Sequence, residues 1–238
     1  RGGIHIYDGK SLSMDKPIKD LLPKGELVFP LMQNIGAPAS PIVEKGDYVL
    51  KGQKIGEART EISANVISSV SGVVKGIEPR LTASGFVVDS IIIENDNEYK
   101  TINGFGEVRD PSKLTKEEIR SIIKEAGIVG LGGASFPTHV KLTPKDDKKI
   151  EYIIVNGTEC EPYLTNDYRV LMEESEKIIG GHKIILSMFP NAKGIIGIED
   201  NKPKAIQKLK DMVVDESNIE VHSIKTKYPQ GGERKLIY

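Results

Sequence analysis

Residues 127–141 run Gly127-Ile128-Val129-Gly130-Leu131-Gly132-Gly133-Ala134-Ser135-Phe136-Pro137-Thr138-His139-Val140-Lys141. Four glycines, one aromatic, one proline and a closing lysine lie between a helical pattern and a β-branched strand pattern. Glycine lets backbone amides wrap closely around an anion, so this composition suits a phosphorylated ligand. Immediately upstream, Thr115 and Glu118 have capping-box spacing. Ile119, Ile122, Ile123 and Ala126 then fall on one face of a 3.6-residue period. The pattern predicts a helix that Gly127 ends in the left-handed conformation.

Downstream, Tyr152-Ile153-Ile154-Val155 reads as a buried strand ending at Asn156. Residues 194–198 and 219–224 read as a second and a third strand. Helical patterns occupy 167–179, with a resumption past Gly180-Gly181 to Phe189, and 203–214, with Asn201 near the start. Alternating strands and helices predict an α/β, Rossmann-like parallel sheet with right-handed crossovers. Ligands of such sheets lie beyond the carboxyl ends of the strands. The loops 156–162 and 225–232 follow strands and belong at that edge.

The first part of the chain has a different period. Residues 1–24, interrupted by Pro17 and Pro23, are polar and predict an extended N-terminal arm. From 25 to 98 the runs are short and β-like, each closed by Gly, Pro or Asn. Lys45-Gly46-Asp47, Lys51-Gly52-Gln53 and Ser71-Gly72-Val73-Val74 follow one another in an order that resembles the lipoyl and biotinyl barrel-sandwich modules. Those modules present a lysine for acylation at a hairpin tip. The corresponding residues here, 58–65, contain none, so the resemblance implies architecture and not a carrier. A polar stretch around Asn95-Asp96-Asn97 and Gly104-Phe105-Gly106 marks a linker. The expected organisation is thus an arm (1–24), a small all-β barrel-sandwich domain (25–98) and a Rossmann-like domain (99–238) that stops short of its C-terminal end.

Composition narrows the chemistry. Among 238 residues, 33 Lys and Arg balance 34 Asp and Glu for a net charge of -1, which gives no field to gather nucleic acid. Cys160 is the one cysteine, so the chain forms no internal disulfide and cannot by itself ligate an iron-sulfur cluster. No apolar run reaches the roughly 20 residues that span a bilayer, and a soluble protein is expected. The start at Arg1, without Met, and the stop at Tyr238 within a helix-like pattern suggest that residues are missing at both ends. The four histidines form no metal-binding pair, and His5, His182 and His222 read as ordinary residues of arm, helix and strand.

Together the three loops supply glycine amides, Lys141, and the carboxylates Glu159, Glu161 and Glu233. Amides with a lysine suit phosphate, and carboxylates suit ribose hydroxyl or amide donors, so a nucleotide cofactor fits better than hydrolysis. The usual dinucleotide fingerprint does not apply, because Gly130-x-Gly132-x-x-Ser135 lacks its third glycine and follows a helix. Alone, such a loop is as readily a structural turn.

Three ordered motifs change that reading: Gly130-x-Gly132-Gly133-Ala134-x-Phe136-Pro137-Thr138-x-x-Lys141, Asn156-x-x-Glu159-x-Glu161-Pro162, and Tyr228-x-x-Gly231-x-Glu233. They resemble the flavin-site segments of the complex I NADH-binding flavoprotein subunit. With the Arg1-Gly-Gly-Ile-His start and the β module in front, the whole chain is more similar to the C subunit of the Rnf ferredoxin:NAD oxidoreductase complex. The resemblance implies an FMN held noncovalently that exchanges hydride with NAD(H), the flavin itself being the catalyst.

On matching positions, Gly130, Gly132, Gly133 and Lys141 would hold the phosphate and ribityl chain. Asn156, Thr158, Glu159 and Cys160 would border the flavin, with Tyr228, Gly231, Gly232 and Glu233 in the third segment. Phe136 would stack on, and Glu161 hydrogen-bond to, the incoming NADH. Burial statistics alone would make Phe136 a core aromatic, and Cys160, between two glutamates, is at least as readily an inert thiol. The resemblance further implies two [4Fe-4S] clusters in a C-terminal region beyond this chain, partner subunits of a membrane-bound complex, indirect exchange with ferredoxin, and a place on the cytoplasmic face of the membrane.

The chain departs from the flavoprotein pattern at Leu131, Thr158, Cys160 and Gly232, where the Rnf protein is more similar. Two alternatives stay open: a flavin-free docking protein similar to the A subunit of the Na-translocating NADH:quinone reductase, and a cobalamin reductase.

Overall fold

The computed structural model describes residues 2–237; Arg1 and Tyr238, and with them the expectations about the two chain ends, lie outside the described residues. The chain divides into two compact units, one of residues 21–145, the other of residues up to Asp20 together with those from Asp146 onward.

The unit of residues 21–145 is built on antiparallel sheets. One has four strands in the order β1 (Glu26–Pro30), β7 (Val87–Asn95), β6 (Gly72–Leu81), β3 (Tyr48–Val49). The other joins β2 (Ser40–Pro41), β4 (Lys54–Glu57) and β5 (Val66–Ile67). β6 carries a register shift between Val74 and Gly76, and such an irregularity curls a sheet. The run Ser90-Ile91-Ile92-Ile93 of β7, which lies between β1 and β6, is buried throughout. Ile91 and Ile93 meet Phe29, Leu31, Val49, Ile55 and Val74 in a core made of hydrocarbon.

The same unit includes α1 (Lys116–Glu125), the glycine-rich loop and the one-turn α2 (Thr138–Lys141), which the sequence pattern assigned to the α/β part. The reason is local. The Asn65 side-chain amide donates to the carbonyls of Lys124 (3.1 Å) and Glu125 (3.4 Å), capping the end of α1. Gly127 (φ 65°) follows so closely that a Cβ there would lie 2.3 Å from the Asn65 carbonyl oxygen. No composition shift announces a cap supplied from about 60 residues away.

The second unit holds a parallel sheet in the order β10 (Ile219–Ile224), β9 (Lys193–Glu199), β8 (Tyr152–Gly157). The connection from β8 to β9 is α3 (Asn166–Glu173) and α4 (Ser175–Met188), and α5 (Pro203–Met212) connects β9 to β10. Ile196, Ile198, Leu186, Met188, Phe189, Ala205 and Leu209 form its buried interior. The α3–α4 break falls at Glu174, not at Gly180-Gly181, through which α4 runs without interruption. A Cβ at either glycine would meet nothing within 4 Å, so these positions place no demand on the helix. β8 extends past Asn156 to Gly157, and a last short helix, α6 (Glu233–Ile237), follows β10. The N-terminal residues are less of an arm than expected: Ile4 bridges to Tyr228, and a 3-10 turn spans Lys10–Leu12 with Lys10 buried. Among the described residues no helix is long and apolar enough to cross a membrane.

Candidate functional site

The glycine-rich loop is presented by a well-terminated helix. The Thr115 hydroxyl accepts from the Glu118 amide, and the Glu118 carboxylate accepts in return from the Thr115 amide (2.7 Å), so α1 starts as its sequence predicts. At the loop base, the Gly130 amide donates to the Phe136 carbonyl (2.9 Å) and the Thr138 amide to the Ile128 carbonyl (3.0 Å). Residues 131–135 project beyond this clasp. Among the described residues none of their amides donates to another group of the chain.

Gly133 has φ 114° and Ser135 φ 50°, and a Cβ at Gly132 or Gly133 would meet nothing within 4 Å. Leu131 is 96% exposed, Phe136 is half-buried, and Lys141 lies exposed at the end of α2. A row of open amides close in sequence to a lysine has the donor chemistry that an FMN phosphate requires.

In the other unit, the second and third predicted segments are joined directly. The Asn156 side chain donates to the Gly231 carbonyl (2.8 Å), and the Gly231 amide donates to the Cys160 Sγ (3.1 Å). Thr158 Oγ1 donates to Asn156 Oδ1 (2.7 Å). A Cβ on Gly231 would lie 2.7 Å from Thr158 Oγ1, so the close approach of these loops requires glycine there. Burial pushes the Cys160 thiol up, the Gly231 amide opposing, which makes it a packed hydrogen-bond acceptor at the loop junction. Tyr228 exchanges backbone hydrogen bonds with Ile4, Gly232 is exposed, and Glu233 opens α6.

The two glutamates of the second motif differ sharply. Glu161 is exposed, while Glu159 is 5% exposed and its carboxylate accepts from the amides of Asp167 (2.6 Å) and Tyr168 (3.3 Å). It therefore caps α3, whose own N-cap residue, Thr165, makes no side-chain cap. Burial raises the Glu159 carboxyl, the Asp167 amide and Lys10 opposing. The Glu159 backbone is held at φ 47°, with the carbonyl 3.4 Å from Lys202 Nζ.

Beneath this loop lies a charged cluster that sequence reading missed. Lys202 (1% exposed) donates to the carbonyl of Thr158 (2.5 Å) and to Asn201 Oδ1 (3.1 Å), and pairs with Glu199 at 3.4 Å. Lys10 donates to the carbonyls of Glu161 (3.0 Å) and Leu164 (2.6 Å) and stands 3.9 Å from the Glu159 carboxylate. Burial pulls the Lys202 ammonium down and pushes the Glu199 carboxyl up, each opposed by the other's charge. One signal for Lys202 was present: it stands at the N-terminus of α5, where the helix dipole disfavours a cation unless other groups hold it. Lys10 gave none.

Comparison with known proteins agrees with both halves of the reading. Residues 1–98 match the RnfC barrel sandwich hybrid domain, and residues 123–238 match the Nuo51 FMN-binding domain. The chain is 45% identical over 238 residues to the C subunit of the proton-translocating ferredoxin:NAD(+) oxidoreductase complex of Clostridium ljungdahlii. It is 42% identical over 240 residues to the C subunit of the Na(+)-translocating complex of Acetobacterium woodii. Identity is 36% over 240 residues to the C subunit of an ion-translocating oxidoreductase complex of Haemophilus influenzae. Each alignment covers 100% of this chain, and respectively 52%, 54% and 37% of the relative, so the chain spans about half the length of the first two.

Proposed function

We propose, from the premise that the chain belongs to the C-subunit family of Rnf-type complexes, that it is the FMN- and NAD(H)-binding portion of such a protein. When bound, FMN supplies the hydride chemistry between NAD(H) and the rest of the complex. The observation that carries this reading is the joining of the second and third motifs through Asn156, Cys160 and Gly231, within residues that match an FMN-binding domain.

The chain's own residues have defined tasks in this scheme. The amides of 131–135, the glycines at 130, 132 and 133, and Lys141 would bind the phosphate and ribityl chain. Asn156, Thr158, Cys160, Tyr228, Gly231, Gly232 and Glu233 would border the ring. Glu159 would do so through its amide, its carboxylate being engaged on α3. Phe136 and Glu161 would orient the nicotinamide nucleotide, one by stacking and the other by accepting a hydrogen bond. Catalysis is then alignment, with no proton supplied by the chain.

The finer fold reading, a Rossmann-like domain, is supported by the parallel order of β8, β9 and β10. The organisation into an arm (1–24), a barrel-sandwich domain (25–98) and a Rossmann-like domain (99–238) remains part of the proposal, supported at the 98/99 boundary by the match that ends at residue 98. Partner subunits, the cytoplasmic face of the membrane and two [4Fe-4S] clusters carried by the continuing chain complete the proposal. It is tested by titrating the purified chain with FMN and then adding NADH anaerobically. Flavin bands that bleach are expected. Absence of FMN binding at saturation would favour a docking role instead. Lys141→Ala should weaken FMN binding about ten- to a hundredfold, the scale of a charge-assisted hydrogen bond; unchanged affinity would remove Lys141 from the site.

A further inference from the structure

The loop after β8 is held in a conformation its sequence would not choose. Glu159 (φ 47°) and Tyr163 (φ 66°) are both left-handed non-glycine residues, close together in one loop. Such residues are strained and persist where surrounding groups over-determine them. Here the surrounding groups are the two buried ammoniums. Lys202 takes the carbonyl of Thr158 on the N-terminal side of Glu159, with the Glu159 carbonyl at 3.4 Å on the other. Lys10 takes the carbonyls of Glu161 and Leu164, which flank Tyr163 in sequence.

The N-terminal segment adds two ties. The Tyr163 amide donates to the Asp8 carbonyl (2.6 Å), and the Ser13 and Thr165 hydroxyls are 2.8 Å apart. An isolated buried ammonium is expensive, and here the carbonyl oxygens and the Glu159 and Glu199 carboxylates offset its desolvation.

This arrangement has a directional consequence. In a trans peptide the C=O and the following N–H point to opposite sides. Turning the carbonyls of Thr158 and Glu159 inward to Lys202 turns the amides of Glu159 and Cys160 the other way. Among the described residues neither amide donates to another residue of the chain. Both therefore point away from Lys202, the Cys160 amide on the side of its own Sγ, which also accepts from Gly231.

We propose that Lys10 and Lys202 are positioning residues: buried ammoniums that hold residues 158–164 so that the Glu159 and Cys160 amides are presented to acceptor oxygens of the FMN ring. This rests on the FMN reading above. It makes the N-terminal segment, which lies at the opposite end of the sequence, part of the machinery of the flavin site.

The test compares the 238-residue chain with its Lys10→Met and Lys10→Gln variants, the second retaining a hydrogen-bond donor without the charge. Three readouts are taken: amide hydrogen exchange of the FMN-free protein, FMN affinity, and the midpoint potential of bound flavin. Lys10→Met should speed exchange of the hydrogen-bonded Thr158 and Tyr163 amides about tenfold while β9 stays protected, weaken FMN binding about tenfold, and lower the potential, because a reduced flavin gains negative charge and the variant has lost a cation. Lys10→Gln should recover part of the affinity and none of the potential. If Lys10→Met does not fold, Lys10→Gln decides through the potential alone. Wild-type affinity and potential in a folded variant would overturn the proposal, as would exchange that rises equally in loop and β9. Failure of the wild-type chain itself to bind FMN would overturn the functional reading on which it stands, an outcome visible before any variant is compared.

Discussion

The two units solve the problem of a core in different ways. The β-rich unit buries Phe29, Leu31, Val49, Ile55, Val74, Ile91 and Ile93 against one another, and the polar side chains it buries, such as Asn65, Ser71 and Asn95, are uncharged. The parallel-sheet unit also has an apolar interior, but within it lie Lys10, Glu159, Glu199, Lys202 and His182, each 5% exposed or less. Hydrocarbon contacts are non-directional and degrade gradually. Buried charges demand particular partners and fail abruptly when one is lost. A loop that must hold its amides in a fixed direction gains more from the second kind of support.

The largest expected effect would break this contrast at its centre. Lys202→Met leaves Glu199 buried without its cation, and should destabilise the parallel-sheet unit by about 3–5 kcal/mol. Lys202→Met combined with Glu199→Leu, which removes both charges, should restore most of that stability while leaving the Thr158 and Glu159 carbonyls without their donor. Denaturant unfolding monitored by hydrogen exchange in β9 measures both variants. A double variant no more stable than the single one would show that the pair is not what the cluster depends on. The matching change in the other unit is graded: Ile93→Val removes one methylene from a site with 0% exposure and should cost about 0.5–1.5 kcal/mol. A loss on the scale of Lys202→Met at that position would erase the distinction between the two cores.

The same contrast explains what could be read from the sequence. Periodicity found β8, β9, β10 and α1, because apolar spacing is a local property that burial enforces. The capping box at Thr115 and the left-handed stop at Gly127 were legible for the same reason. Placement of the glycine loop with the β-rich unit was not, since it depends on Asn65 reaching the last carbonyls of α1. Within the site, motif spacing identified Asn156 and Gly231, which do meet, while Cys160, a position the motif leaves open, was placed there only by the family resemblance and joins them through the Gly231 amide. Spacing could not separate Glu159 from Glu161, because which of two glutamates turns inward is decided by α3, eight residues on. Lys10 escaped altogether. A single lysine in a polar segment has no period, and its partners are carbonyls 151 and 154 residues away.

The smallest effect sharpens the comparison through pH. His182, on α4, is 2% exposed; its Nε2 lies 3.1 Å from the Ile153 carbonyl, and its Nδ1 is buried without a partner. Its ring packs so tightly on β9 that a Cβ at Gly194 would come within 2.7 Å of it. Burial holds the imidazole below its ordinary value of 6.5, the Ile153 carbonyl opposing, so the folded protein keeps it neutral where the unfolded chain takes up a proton. The stability this provides is fully present above about pH 6.5 and is lost as pH falls below it, because only the unfolded state then gains a proton. One proton sets the bound: at pH 6 the loss is under about 1 kcal/mol. Hydrogen exchange between pH 7 and pH 5.5, corrected for the intrinsic rate, should show protection in β8 and β9 declining across this window, with the decline absent in His182→Gln. The β-rich unit carries its own such group, His139 on α2, which burial also holds below its ordinary value, so β7 is compared in a His139→Gln background, where its protection should stay level. Equal declines in β7 and β9 would mean that the pH response is not a property of the polar core, and the difference between the two units would then lie in packing alone.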